Sequence, residues 1–496
     1  MRKMKRERSS GILLHITSLP GEYGIGDLGG RAFQFVDFLE KAGQKNWQIL
    51  PLGMTGYGAS PYQCFSAFAG NPYLIALDDL IARGFLKKSD FKGLRLSRDP
   101  EEVDYDLIYT NKMKLLRISY ERAKEALNPK LKKYYQNNKK ELEDFFLYMS
   151  LREYHLGASH TQWSERYRKK DSPAVKTFAK RNSEEVYFWV YTQYLFSEQW
   201  AKLKAYANKK GVRIIGDMPI YVATDSSDVW ANPHLFKLDE DLRPRFVAGC
   251  PPDAFSKEGQ LWGNPIYDWK VMEDNGYEWW VARIRHSFTQ VDTLRIDHFR
   301  GFESFWQVKQ GSKNAVKGKW IKGPGFKLFK KIAQELGDQD IIAEDLGFLT
   351  PQVEKLIEKT GYPGMKILQF AFSSDEESDY LPHNFDQNSV VYTGTHDNTT
   401  LIGWLDSLSK EDLQFAAEYM RLSEEEGYDY GVIRTAWSST AYLAIAPMQD
   451  FLRLGEAYRM NTPSTVGQNW KWRLKEEDLT EELAVRISEL TKRYGR

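Results

Sequence analysis

The sequence predicts an α/β fold: a (β/α)8 TIM barrel carrying inserted, largely helical and loop-rich subdomains. Short apolar runs recur eight times, each ending in polar residues. Helical patterns lie between them, and strands alternating with helices imply parallel strands joined by crossover helices. The chain has 496 residues, enough for one large barrel with insertions. A doubly wound sheet gives a similar alternation, so the runs by themselves leave both architectures open.

The first run is Gly11–Ser18, followed by the helical pattern Arg31–Ala42 and a second run, Trp47–Leu52. Residues 76–185 then break the rhythm. Their charged segments, Asn111–Ala126 and Lys130–Leu156, repeat apolar residues at helical spacing and read as an inserted helical subdomain. The third run is Val212–Tyr221. Residues 222–290 follow, rich in Trp, Pro, Asp and Gly. Their aromatics argue against disorder and for a loop-rich insertion that walls the active site. The remaining runs are Thr293–Phe299, Asp340–Leu346, Met365–Phe372, Val390–Asp397 and Ala441–Met448, with helical patterns at Phe329–Leu336 and Pro351–Lys359. The barrel is therefore expected to be discontinuous, built from residues 1–75 and 186–496, with 76–185 inserted.

Composition narrows the function. Net charge is +1, so no broad field favours nucleic acid or an anionic membrane. No apolar run approaches the roughly 20 residues that span a bilayer. The basic start, Arg2 to Arg8, is not followed by the apolar stretch of a signal peptide. Cys64 and Cys250 are the only cysteines, which gives neither a disulfide framework nor a metal-ligand spacing. A cytoplasmic protein is expected. Gly24-Ile-Gly-Asp-Leu-Gly29 fits the G-x-G-x-x-G dinucleotide pattern. The preceding run ends several residues earlier, and the second run carries no acid to hold a ribose, so the segment reads as a glycine-permitted turn.

Four acids stand late in, or just after, apolar runs: Asp217, Asp297, Glu344 and Asp397. In a parallel barrel the C-terminal strand ends face the active site, so these acids converge there. One such Asp alone is as readily a helix cap. Strand alternation puts Arg295 and Asp297 on one face and Leu294 and Ile296 on the other. Glycosidic cleavage needs this chemistry: a carboxylic acid to protonate the leaving oxygen and a carboxylate to capture the oxocarbenium-like carbon. Arg295 is expected to keep Asp297 ionised. Apolar neighbours and nearby negative charge are expected to raise the pKa of Glu344, as a general acid requires. His396 and Asp397 would hold sugar hydroxyls. No H-E-x-x-H pattern or calcium loop accompanies His298 or His396, so no metal is expected.

These residues belong to a longer ordered set. It includes His15-Ile-Thr-Ser-Leu-Pro20, Gly56-Tyr-Gly-Ala-Ser-Pro-Tyr62, Gly216-Asp-Met-Pro-Ile-Tyr221, Gly249-Cys-Pro-Pro-Asp253 and Leu261-Trp-Gly-Asn-Pro265. Arg295-Ile-Asp-His-Phe-Arg-Gly301, Ala343-Glu-Asp-Leu-Gly347 and Gly394-Thr-His-Asp-Asn398 complete it. From near Gly11 to about Arg473 the chain resembles the 4-α-glucanotransferases of glycoside hydrolase family 77, the amylomaltases or disproportionating enzymes. The resemblance implies a (β/α)8 barrel in which Asp297 is the nucleophile, Glu344 the acid/base and Asp397 the stabilising acid. It implies substrate contacts from Tyr57, Asp217, Arg295, His298, His396, Trp262 and Asp253, with Tyr57 and Trp262 stacking on sugar rings. Ala59, where Asp is common, and Cys64, where Ser is common, are minor departures.

The implied reaction moves a segment of an α-1,4-glucan to the 4-hydroxyl of glucose or another glucan by retaining double displacement. The expected partners are a glucan donor and a sugar acceptor, with no cofactor, in a monomer or homodimer. A retaining α-glucan hydrolase of amylase type is the nearest rival. A non-catalytic glycan-binding protein is disfavoured, because binding does not need the complete acid set and buried ionised acids are costly.

Overall fold

The computed structural model describes residues 6–56, 58–252, 257–347, 349–374 and 378–496. Eight parallel strands form one sheet. In chain order they are Ser9–Leu13, Asn46–Gln48, Arg213–Met218, Thr293–Ile296, Ile341–Ala343, Gly364–Ile367, Ser389–Tyr392 and Leu443–Pro447. The eighth returns to pair with the first, Ser9 opposite Leu443. Parallel strands covered on both faces read as continuous apolar runs, and Ile214, Ile215, Leu294, Ile296, Ile341, Ile342, Val390 and Val391 are all buried.

The ring closes between the fifth and sixth strands. There the Ala343 N–H donates to Pro363 O at 2.9 Å. Beside it the Met365 N–H donates to the Asp345 carboxylate at 2.7 Å, a side chain doing what a ladder bond does elsewhere. Gly364 permits this approach, since a Cβ there would stand 2.1 Å from Asp345 Oδ2. The chain thus forms the (β/α)8 barrel and not the doubly wound alternative.

Between the second and third strands, the helix Met113–Tyr154 packs on the helix Ser183–Lys209. Leu116, Tyr120, Ala123, Leu127 and Leu131 recur at helical spacing and are buried. Gly24, in the G-x-G-x-x-G segment, has φ +72°, and a Cβ would meet Leu96 O at 2.0 Å. The segment is a packed turn leading to the helix Gly30–Lys41.

The sequence reading treats 222–290 as loop-rich. Here Phe246–Cys250 and Gln260–Pro265 join Ser304–Lys309 and Gly318–Lys322 in a four-stranded antiparallel sheet. Half of that sheet comes from beyond the fourth barrel strand, so local patterning within 222–290 could not disclose it. Val247, Val308 and Ala315 form its small core, with Trp306 against them. Among the described residues, no helix is long and apolar enough to cross a membrane.

Candidate active site

Asp217 lies in the third strand, and Asp297 and Glu344 directly follow the fourth and fifth. These three strands are neighbours in the sheet. Asp217 and Arg295 are register partners, so their side chains share a face. Arg295 Nη1 donates to both oxygens of Asp217, at 2.7 and 2.6 Å. Its Nη2 stands 3.2 Å from Asp297 Oδ1. The guanidinium is buried, and two carboxylates compensate its charge.

Glu344 is held by backbone. His298 N–H donates to Oε2 at 2.6 Å, and Leu346 N–H to Oε1 at 2.8 Å. His298 has φ +51°, so the chain after Asp297 turns through the left-handed region to present that N–H.

Asp397 is reached from the seventh strand. Asn461 Nδ2 donates to its Oδ1 at 2.6 Å, His396 Nε2 stands 3.3 Å from its Oδ2, and Arg459 donates to its backbone carbonyl. Tyr62 closes the circuit. Its hydroxyl donates to Asp217 Oδ2 at 2.7 Å and lies 2.8 Å from His396 Nε2. The Tyr62 and His396 rings stack with centroids 5.3 Å apart. One network therefore runs Asp297, Arg295, Asp217, Tyr62, His396, Asp397.

Burial pushes the Asp297 carboxyl up to about 7; Arg295 pulls it down, while Glu344, Asp217 and Asp397 push it further up. The sequence reading expects Arg295 to keep Asp297 ionised. The contact is in place, but desolvation outweighs it. Glu344 is also raised, by burial first, against the pull of Arg295 and its two backbone donors. Both carboxyls are therefore harder to ionise than solvated ones. Asp397 goes the other way. Burial opposes its charge, but His396 and Asn461 hold it far below the usual carboxylate range. Burial and the nearby Arg300 charge lower His298 to about 3, so its ring is neutral.

Trp262 stands edge-on to His298 at 4.7 Å between ring centroids, and its Nε1 donates to Gln260. Asp217, Arg295, His298, His396 and Trp262 therefore gather around Asp297, Glu344 and Asp397. Tyr57 and Asp253 lie outside the described residues. Tyr62, Arg459 and Asn461 were missed by the sequence reading. Tyr62 ends a quoted motif and was findable there. Asn461 lies far downstream of Asp397 in a polar stretch with no periodicity to mark it.

The sequence pattern of the 4-alpha-glucanotransferases, glycoside hydrolase family 77, matches residues 14–480. The chain belongs to that family. This family 77 chain is 52% identical to a 4-alpha-glucanotransferase of Clostridium butyricum over 485 residues, 97% of this chain and 100% of the relative. It is 45% identical to one of Thermus thermophilus over 495 residues, 98% of each chain. Among solved structures it is similar to an amylomaltase from Streptococcus agalactiae in complex with acarbose. There the TM-score is 0.96 and the identity 42%, covering 99% of this chain and 100% of that one.

Proposed function

We propose that this family 77 enzyme works as a 4-alpha-glucanotransferase through Asp297, Glu344 and Asp397, by retaining double displacement. The placement of Asp297 and Glu344 at adjacent strand ends, linked through the His298 N–H that Glu344 accepts, carries this reading, and burial raises both carboxyls. In the reactive state Asp297 is ionised and Glu344 protonated. Glu344 gives its proton to the bridging oxygen of an α-1,4-glucan as Asp297 attacks the anomeric carbon. The C–O bond to the leaving segment breaks and a glucosyl-Asp ester forms. The 4-hydroxyl of an acceptor sugar then loses its proton to Glu344 and attacks the ester. Asp297 leaves as carboxylate, and two inversions give net retention.

The surrounding residues fit these steps. Among the described residues, His298 Nε2 and His396 Nδ1 are buried without a hydrogen-bond partner, and sugar hydroxyls would satisfy both. The half-buried Trp262 offers a ring for a sugar face and helps exclude water from the ester. A relative with 42% identity binds acarbose, which supports a glucan-like ligand. We place the enzyme in the cytoplasm. Incubation with maltotriose tests the reading. A ladder of longer glucans is expected; only shorter sugars would mean water is the acceptor and the protein is a hydrolase.

A further inference from the structure

A cleft of about 470 Å³ opens between the helix Met113–Tyr154 and the helix Glu278–Gln290. No barrel strand and no member of the acid network lines it. Its volume lies within the range of small-molecule sites, roughly 300–1,000 Å³. Phe68 and Trp279 meet there edge to face, with centroids 6.0 Å apart, and Trp279 is half-buried. Asn232, Asn275 and Arg285 line the same cleft. So does Asp228, only 4% exposed, whose Oδ2 accepts the Ala67 N–H at 2.8 Å.

The lining discriminates between ligand classes. Five carboxylates face three Lys and Arg side chains, which disfavours an anion such as a sugar phosphate. Aromatic rings beside mixed donors and acceptors suit a neutral polyol, whose C–H face stacks while its hydroxyls bond both ways. The cleft is also near the acids. Ser66 lines it and Tyr62 sits in the acid network, so the two Cα atoms are at most about 14 Å apart along the chain.

We propose that this cleft is a second site for neutral α-glucan, holding a distant part of a long donor while another part is cut at Asp297. The choice of glucan rests on the function proposed above. Holding one part raises the local concentration of the rest at the acids, an advantage that a trisaccharide is too short to gain.

Two variants test this: Trp279→Ala removes the ring and Ala282→Trp fills the cleft. Both are assayed on maltotriose and on amylose, with retardation in amylose-containing native gels as a binding readout. Each variant is expected to keep maltotriose kcat and KM, while KM for amylose rises about fivefold and retardation weakens, as loss of one stacking contact implies. Unchanged amylose KM and retardation in both variants would overturn the inference. So would an equal rise of KM for maltotriose, which would assign the residues to the acid site. Absence of maltotriose disproportionation in the unmodified enzyme would instead sink the proposed function.

Discussion

The backbone N–H of His298 donates to the carboxylate of Glu344, and His298 is the residue after Asp297. The proposed nucleophile and proton donor are therefore tethered through a single peptide unit, in a turn with φ +51°. His298→Val should be strained there by about 1–2 kcal/mol and displace Glu344, whereas His298→Asn tolerates the conformation. We expect kcat for maltotriose disproportionation to fall much further in the valine variant. Equal loss in both would show that the imidazole, not the turn, sets Glu344.

Asp297→Asn should abolish transfer, with kcat lowered about 10⁴-fold or more. It should also change the pH dependence of stability. With its pKa raised to about 7, the folded state binds a proton between pH 4 and 7 that the unfolded chain releases. Stability supplied by that proton is complete at low pH and lost as pH rises through about 7. The asparagine variant lacks this loss. Its advantage over wild type in urea melts should grow across that window to about 2 kcal/mol, discounted because Asp297 is 27% exposed.

Tyr62→Phe keeps the ring on His396 but removes the hydroxyl between Asp217 and His396. Losing a hydrogen bond to a buried charge should lower kcat about tenfold. Tyr62→Leu should lose the stack as well and fall further. If the two variants matched wild type, the hydroxyl would be dispensable.

Asp345→Asn keeps an oxygen for the Met365 N–H but removes a charge beside Glu344. Burial, with help from Glu344, raises Asp345 to about 6. Neutralising it makes ionisation of Glu344 easier. The alkaline limb of the kcat/KM profile should move to lower pH by a few tenths of a unit. A limb that stays in place would separate the two carboxyls electrostatically.

Arg496 gathers carbonyls at the barrel end opposite the acids. It donates to Trp437 O at 2.7 Å, Ser9 O at 2.9 Å and Ala441 O at 3.1 Å. Arg496→Ala should cost about 2–3 kcal/mol and lower Tm, while maltotriose kcat at 25 °C stays unchanged. A loss of kcat without a loss of Tm would contradict a purely structural role.

The alternation of strands and helices was legible because parallel strands need apolar residues on both faces, but only the pairing of the eighth strand with the first separates the barrel from the doubly wound sheet. The sequence overstated the strands themselves. Trp47–Leu52 is apolar but for Gln48, yet only Asn46–Gln48 finds ladder partners. The antiparallel side sheet stayed hidden because its strands pair across the fourth barrel strand. Asp217, Asp297, Glu344 and Asp397 were legible as a set. The raised pKa of Asp297 was not, since it depends on how far burial outweighs Arg295. Asn461 was invisible for a related reason: only the fold brings it to Asp397.

Asp345 is at once the clasp of the barrel hoop and the neighbour of Glu344, the proposed proton donor. Any change that loosens the clasp also retunes that donor. The mechanical and acid–base properties of this rim therefore cannot drift independently, and Gly364, with no room for a single extra methyl, is where both would first fail.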